Sequence, residues 1–278
     1  MSSLLFTLIV FGSSFAAGLL GALTGLGGGV VIIPLLTLGF GINIKYAVGT
    51  SLIAVIATSS GAAASYVKEG ISNIRIGMFL EIATTIGAIS GAHIAGLVST
   101  EVVAVTFGIV LIFSAFVSGR RKEEFASGVE TNKTASYLRM NGKYTLEHEE
   151  VHYTVKNVPG GFGVMYIAGA LSGLLGIGSG ALKVIAMDYI MKLPFRVSTT
   201  TSNFMIGVTA AASAGIYLQK GYIDPGLSMP VVLGILPGAL VGSKLLARFR
   251  TKWLRIIFAL VITILGIEMI SNGISGNL

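Results

Sequence analysis

The apolar stretches of this chain are long and continuous, and two of them are interrupted by glycine clusters. Six uninterrupted stretches have about the 20 apolar residues that a helix needs to cross a bilayer, at 46–67, 74–98, 101–118, 197–219, 226–248 and 252–271. Two others, at 4–40 and 161–192, contain Gly25-Leu26-Gly27-Gly28-Gly29 and Gly176-Ile177-Gly178-Ser179-Gly180. Because each glycine costs a helix interior roughly 1 kcal/mol relative to alanine, we predict that both helices break there.

The two halves of the chain resemble each other. A shift of 151 residues without gaps superposes Gly25, Gly27 and Gly29 on Gly176, Gly178 and Gly180, and Thr50 and Ser51 on Thr201 and Ser202. Each half therefore contains one broken helical element followed by three helices. This pattern predicts an all-α polytopic membrane protein in which 1–118 is the first transmembrane repeat and 161–278 is the second.

The segment 119–160 is the one soluble piece of the sequence. Asn141-Gly142 is a strong turn signal, and it lies between two strand-like stretches at 136–140 and 143–146. We predict a small β-hairpin there, with a third strand at 151–155. Since the repeats align without this segment, we expect that deleting about 125–155 spares transport.

Composition supports the membrane assignment. Of the 278 residues 53% are hydrophobic and 11% are charged, whereas soluble domains have about 25% charged residues. The mean hydropathy is +0.85. The absence of cysteine excludes disulfides and thiolate chemistry. The net charge of +7 does not indicate nucleic acid, because the basic residues lie in short loops between the predicted helices.

The positions of the basic residues bear on topology. If each broken element crosses the membrane, the Lys and Arg residues outside the helices spread over both faces. If each element re-enters, all of them except Lys45 and Lys220 fall on one face. The positive-inside rule therefore favours re-entrant elements and two inverted-topology repeats, with 119–160 cytoplasmic and both termini external.

The glycine clusters are the first candidate binding site. A helix break within a bilayer exposes backbone N–H groups, which suit an anion, although small residues also serve close helix packing. Hydroxyl and amide groups early in the following helices suit an oxyanion too, or act as simple helix caps. The candidate substrate-binding residues of these two groups are Gly25, Gly27, Gly28, Gly29, Thr50, Ser51, Gly176, Gly178, Ser179, Gly180, Thr201, Ser202 and Asn203.

Several ionisable residues interrupt the apolar stretches. Lys183 follows the second glycine cluster, where it could meet a substrate anion, snorkel to water, or pair with Asp188 or Glu81. We expect Glu81 to be interfacial, near a helix end. His93 and Lys244, which the 151-residue shift superposes, are candidate gate or proton-relay residues.

One famous motif is present. His148-Glu149-Glu150-Val151-His152 matches the zinc-protease pattern H-E-x-x-H. That chemistry needs a helix and a third ligand, whereas the surrounding sequence is strand-like and the only other histidine is His93. We therefore expect no metal site, and a membrane metalloprotease is the less favoured alternative.

With these residues in view, the chain resembles the sulfite exporter TauE/SafE family of prokaryotic membrane proteins. The resemblance rests on Gly25-x-Gly-Gly-Gly followed by Pro34, on Gly173-Leu-Leu-Gly-Ile-Gly-Ser-Gly, on the block from Thr200 to Ala214, and on Gly221-x-Ile-x-Pro. It implies transport of a small sulfur-containing or carboxylated anion such as sulfite, sulfoacetate or thiosulfate.

We therefore expect a secondary transporter in the cytoplasmic (inner) membrane, with its site between the two breaks. An anion channel or ion-selective pore is the nearest alternative. We expect no enzyme activity and no cofactor. The expected partners are a small anion, the lipid bilayer and a coupling proton or ion, and not nucleic acid.

Overall fold

A computed structural model describes residues 3–24, 28–68, 72–119, 133–138, 140–146, 149–246 and 251–276. Within these residues the fold is helical apart from one two-stranded sheet. The helices are α1 (Ser3–Thr24), α2 (Gly29–Pro34), α3 (Ile44–Lys68), α4 (Ile74–Leu97), α5 (Thr100–Gly119), α6 (Lys133–Tyr137), α7 (Val158–Leu175), α8 (Gly180–Ile185), α9 (Phe195–Gln219), α10 (Pro225–Leu246) and α11 (Thr251–Ser275). The strands are β1 (Gly142–Leu146) and β2 (Glu149–Tyr153).

Both predicted breaks fall between helices. α1 ends at Thr24, and α2 begins at Gly29 and continues as a π-helical segment, Leu35–Gly39. α7 ends at Leu175, and α8 begins at Gly180 and continues as the π-helical segment Ala186–Ile190. We call α2 and α8 with their π-helical segments the first and second half-helix. At 11 residues each, they are about 16 Å long, roughly half a hydrocarbon core.

Each half-helix returns toward the start of the long helix before it. The backbone N–H of Lys156, just before α7, donates to the carbonyl of Met191, just after the second half-helix, at 2.9 Å. In the first half of the chain, the rings of Phe6 and Phe40 meet with centroids 5.3 Å apart. The two ends of each broken element therefore lie close together.

The helices pack in pairs, and the 151-residue shift relates the pairs of one half to those of the other. The contact between α1 and α10 corresponds to that between α7 and α4, while α3 packs on α9 and α5 on α11. α4 and α7 run in the same direction, because the backbone of Thr84 faces Gly169 and that of Ala88 faces Gly173. α5 and α11 run in opposite directions, since Gly108 faces Gly266 while the backbone of Glu101 faces Gly273.

The glycines at these contacts allow the close approach. A Cβ on Gly91 of α4 would meet the backbone carbonyl of Ala170 in α7, and one on Gly238 of α10 would meet that of Phe15 in α1. Small residues at contacts between membrane helices let the backbones approach closely. The resulting van der Waals packing holds the helices together, because the hydrophobic effect does not drive helices together in lipid.

Apolar helices of spanning length are present among the described residues. Three are long and apolar enough by length and composition, Ile74–Leu97, Val158–Leu175 and Pro225–Gly242. Shorter apolar helical stretches lie at Leu5–Gly21, Gly29–Gly39, Ile44–Ser60, Thr100–Phe116 and Ala259–Ser275. These helices are the expected pattern of an all-α multi-pass membrane protein.

The hairpin of segment 119–160, which we call the central segment, is present but lies further along the chain than predicted. Residues 133–137 form the short helix α6. Asn141 precedes β1 and Gly142 begins it, so that the two residues do not form the hairpin turn. β1 pairs with β2 in antiparallel register, with Lys143 opposite His152. The Asn141 side chain accepts a hydrogen bond from Val155 N at 3.0 Å, so it joins the ends of the sheet instead of turning between strands.

The described part of segment 119–160 is in contact with the membrane helices. Asn73, the N-cap of α4, donates from Nδ2 to the Met140 carbonyl (3.0 Å) and to the Tyr153 hydroxyl (2.8 Å). Ala135, Met140, Tyr153 and Val155 are buried in the same apolar cluster as residues of α4, the second half-helix and α9. The described part of this segment therefore packs directly on the membrane helices.

Candidate functional site: the meeting point of the two helix breaks

The second break is built from left-handed backbone. Gly176 and Gly178 both have φ of +69°, and Ser179 has φ of +43°. Glycine adopts this conformation without the steric penalty that a Cβ brings. Ser179 is a non-glycine residue there, and its hydroxyl donates to the Ala168 carbonyl of α7 at 2.6 Å. This hydrogen bond ties the tip of the second half-helix to the preceding long helix.

The two breaks lie against each other. The Ser51 hydroxyl of α3 donates to the Gly176 carbonyl at 2.9 Å. A Cβ on Gly29, at the start of the first half-helix, would lie 2.5 Å from the same hydroxyl oxygen and 3.3 Å from the Gly176 oxygen. The start of one half-helix and the break before the other are therefore in contact at buried positions.

The predicted hydroxyl groups are buried, and each bonds to an element other than its own helix. Thr50 lies 3.3 Å, oxygen to oxygen, from Ser228 of α10. Ser202 donates to the Gly180 carbonyl at 3.2 Å, and Thr201 accepts a hydrogen bond from Asn73 N at 3.0 Å. The helix-capping alternative does not describe them, because they lie inside α3 and α9 and join the helices to one another.

Lys183 is fully buried in α8. Its ammonium donates a hydrogen bond to the Thr209 hydroxyl of α9. The Thr209 oxygen in turn lies 2.7 Å from Oε1 of Glu81 in α4. Of the alternatives for Lys183, pairing with Glu81 through Thr209 is therefore the arrangement observed. We call these three residues the buried charge cluster.

Glu81, which we expected near a helix end, is buried inside the protein. It is the eighth residue of α4 and only 7% exposed. Its Oε1 also accepts from the Thr85 hydroxyl at 3.3 Å. The other oxygen, Oε2, is buried without a hydrogen-bond partner in the structure. The sequence did contain a signal, since a carboxylate in an apolar stretch is costly and usually functional.

The 151-residue shift relates the buried charge cluster to positions that carry no charge. The shift of 151 residues relates Lys183, Thr209 and Glu81 to Ile32, Thr58 and Val232. Only the threonine is shared, and the Thr58 hydroxyl donates to the Val55 carbonyl of its own helix. The protein thus has pseudo-symmetric packing around an asymmetric pair of charges.

Other candidates lie apart from this cluster or outside the described residues. His93 is exposed, and its Nδ1 lies 2.9 Å from the Ile89 carbonyl in its own helix. Asn203 is half-buried in α9. Gly28 is buried at the N-cap of α2. Gly25, Gly27, His148 and the side chain of Lys244 lie outside the described residues.

The H-E-x-x-H sequence does not form the helix that a zinc protease needs. Its second histidine, His152, lies in β2 opposite Lys143. No group of three or more metal-ligating side chains occurs in the part of the chain that the structure describes.

Broken helices that meet at buried polar groups, within a helical bundle of spanning length, define a class: polytopic membrane proteins built like transporters. A family model described as sulfite exporter TauE/SafE matches residues 10–269. The chain belongs to this family.

Relatives with similar sequences support a membrane transporter. The probable membrane transporter protein YunE of Bacillus subtilis is 27% identical over 276 residues, covering 96% of this chain and 97% of the relative. YjnA of the same species, with the same description, is 31% identical over 277 residues, covering 94% and 98%. A probable membrane transporter protein of Methanocaldococcus jannaschii is 26% identical, covering 95% and 94%. No solved structure matches the chain significantly.

Proposed function

We propose that this protein is a secondary transporter that moves a small sulfur-containing or carboxylated anion, of the sulfite, sulfoacetate or thiosulfate type, across the cytoplasmic membrane. The observation that carries the proposal is the ammonium of Lys183, fully buried one turn beyond the second break. A buried cation is costly, and such residues in membrane proteins usually mark a substrate or ion pathway.

The surroundings of Lys183 suit an anion. The first N–H groups of any helix lack intrahelical acceptors, and half-helix starts carry partial positive charge. The start of the first half-helix lies against the break that precedes the second, because Gly29 faces Gly176. The proposed site consists of the two glycine breaks, the hydroxyls of Thr50, Ser51, Thr201 and Ser202, Asn203, and the ammonium of Lys183.

We further propose that the two repeats have inverted topology. The return of each half-helix, marked by the Lys156 to Met191 hydrogen bond, supports an even number of passes per broken element. Because three helices follow each broken element, each repeat then ends on the membrane face opposite to its start. The parallel course of α4 and α7 fits this arrangement. The charge distribution supports placing 119–160 in the cytoplasm and both termini outside.

Transport and binding measured with Lys183→Met test the proposal. The substitution keeps the length of the side chain and removes a charge-assisted contact worth roughly 1.5–3 kcal/mol, so we expect thiosulfate affinity to fall about ten- to a hundredfold. Lys143→Met, at an exposed position in β1, is the matched control and should bind normally. Saturable counterflow in proteoliposomes should separate a transporter from a channel. Unchanged thiosulfate affinity in Lys183→Met contradicts the proposal.

A further inference from the structure

We propose that Glu81 is the proton-binding group that couples anion movement to a proton, which makes the protein an anion–proton symporter. In this cycle Glu81 takes a proton from water on the side where the anion enters, forming an O–H bond at its carboxylate, and releases it on the other side. This inference rests on the proposed function, since it concerns the same buried charge cluster.

The hydrogen bonding of Glu81 is incomplete. Oε1 is bonded to the hydroxyls of Thr209 and Thr85, while Oε2 is buried without a partner. Buried polar atoms nearly always have partners in native structures, and an orphaned one calls for an explanation. Proton binding at Oε2 provides such an explanation, because protonation lowers the cost of burying that atom.

The charges of the cluster require a second species to accompany an anion. Lys183 and Glu81 together are neutral, and they are linked through Thr209. An anion that joins them leaves an unbalanced negative charge in a buried place, which is unfavourable. A proton on Glu81 balances the charge of a monoanion, or one of the two charges of a dianion such as thiosulfate, and it leaves the charge of Lys183 available to the anion. Anion and proton therefore bind with positive coupling, and each raises the affinity for the other.

The other charged or titratable groups described on or against α4 lie away from Glu81 or bond elsewhere. Lys220, just after α9, donates to the Ala92 and His93 carbonyls near the end of α4. On α7, the Tyr166 hydroxyl donates to Ser90, and on α9 the Tyr217 hydroxyl donates to the Leu174 carbonyl. Asp188 is five residues beyond Lys183, in the π-helical segment, and makes interactions of its own. Arg75 and His93, the remaining charged or titratable residues of α4, lie more than one turn from Glu81 along the helix, and His93 is exposed.

The asymmetry of the repeats sets the number of protons. Val232 occupies the position equivalent to Glu81, and Ile32 the position equivalent to Lys183. The cluster therefore occurs once in the chain, and the inference is one proton for each anion bound.

Thiosulfate is a suitable probe because it stays a dianion between pH 6 and pH 8, so that any pH dependence belongs to the protein. We expect its affinity for the purified full-length protein to fall as pH rises, by at most about tenfold per pH unit for one linked proton. Adding thiosulfate in weak buffer with an indicator dye should remove about one proton per anion bound from solution. Absence of proton uptake overturns the inference.

Glu81→Gln provides the second test. The amide cannot titrate, so we expect thiosulfate binding that is equal at pH 6 and pH 8 and takes up no proton. Glu268→Gln, at an exposed glutamate of α11, is the matched control and should keep the pH dependence of the wild type. Wild-type binding without pH dependence contradicts only the role of Glu81. Absence of thiosulfate binding at every pH contradicts the proposed function itself, and this inference with it.

Discussion

The hydroxyl oxygen of Thr209 lies 2.7 Å from Oε1 of Glu81, across the contact between α9 and α4. The same oxygen accepts a hydrogen bond from the ammonium of Lys183. One neutral side chain therefore links two opposite charges that come from different elements. Its removal leaves both charged groups short of a partner, and such a loss costs more than an ordinary hydrogen bond contributes.

Thr209→Val should destabilise the protein by about 1–3 kcal/mol, because valine keeps the shape of threonine but cannot bond to Glu81 or Lys183. Thr58→Val at the equivalent position is the control. Its hydroxyl donates only to the Val55 carbonyl, so we expect a much smaller effect. Thermal unfolding of both variants in detergent checks this. Equal shifts in Tm would show that the cluster contributes no special stability.

Gly91→Ala should destabilise the protein by about 1–3 kcal/mol, because the added methyl meets the backbone carbonyl of Ala170 and pushes α4 away from α7. Gly163→Ala in α7 is the matched control, since no heavy atom lies within 4 Å of its Cβ position. We expect that variant to be as stable as the wild type or slightly more so, because alanine favours helix. Comparison of the melting temperatures of the two variants shows whether the effect comes from the contact with α7 or from the helix propensity of alanine.

Tyr153 should ionise only at unusually alkaline pH. Burial raises the pKa of its phenol above the ordinary value of 10.0, and the hydrogen bond from Asn73 offsets part of that rise. Because the folded state holds the proton more tightly, this contribution to stability is full below pH 10.0 and is lost as pH rises through the folded pKa. The difference between tyrosinate titrations of wild type and Tyr153→Phe measures it. A midpoint at or below the ordinary value would contradict the docking of β2.

Single cysteines should report the proposed topology without background, because the chain contains none. Ser136→Cys and Gln219→Cys are both at exposed positions. In intact cells, a membrane-impermeant maleimide should label Gln219→Cys, at the end of α9, and leave Ser136→Cys unlabelled until the membrane is opened. The reverse pattern would invert the proposed orientation, and labelling of both before opening would rule out opposite faces.

Much of the architecture follows from local sequence. Glycine clusters disrupt helices wherever they occur, so both breaks could be predicted to within a residue or two of where α2 and α8 begin. The helix boundaries follow likewise from the lengths of the apolar stretches. The hairpin was placed too early because Asn141-Gly142 favours a turn locally, whereas its side chain instead bonds to Val155 across the segment.

The tertiary structure alone decided the environment of the charges. Lys183 could be singled out from its sequence, because an ammonium in an apolar stretch is costly anywhere in a membrane. The sequence left both Asp188 and Glu81 open as its partner. Only the structure selects Glu81, because Glu81 and Thr209 are separated by 128 residues and meet only when α4 packs on α9. The same holds for Ser51 and Gly176, which join the two breaks. Sequence determines where a helix stops and which residue carries charge, whereas which charge faces which depends on helix packing between distant parts of the chain.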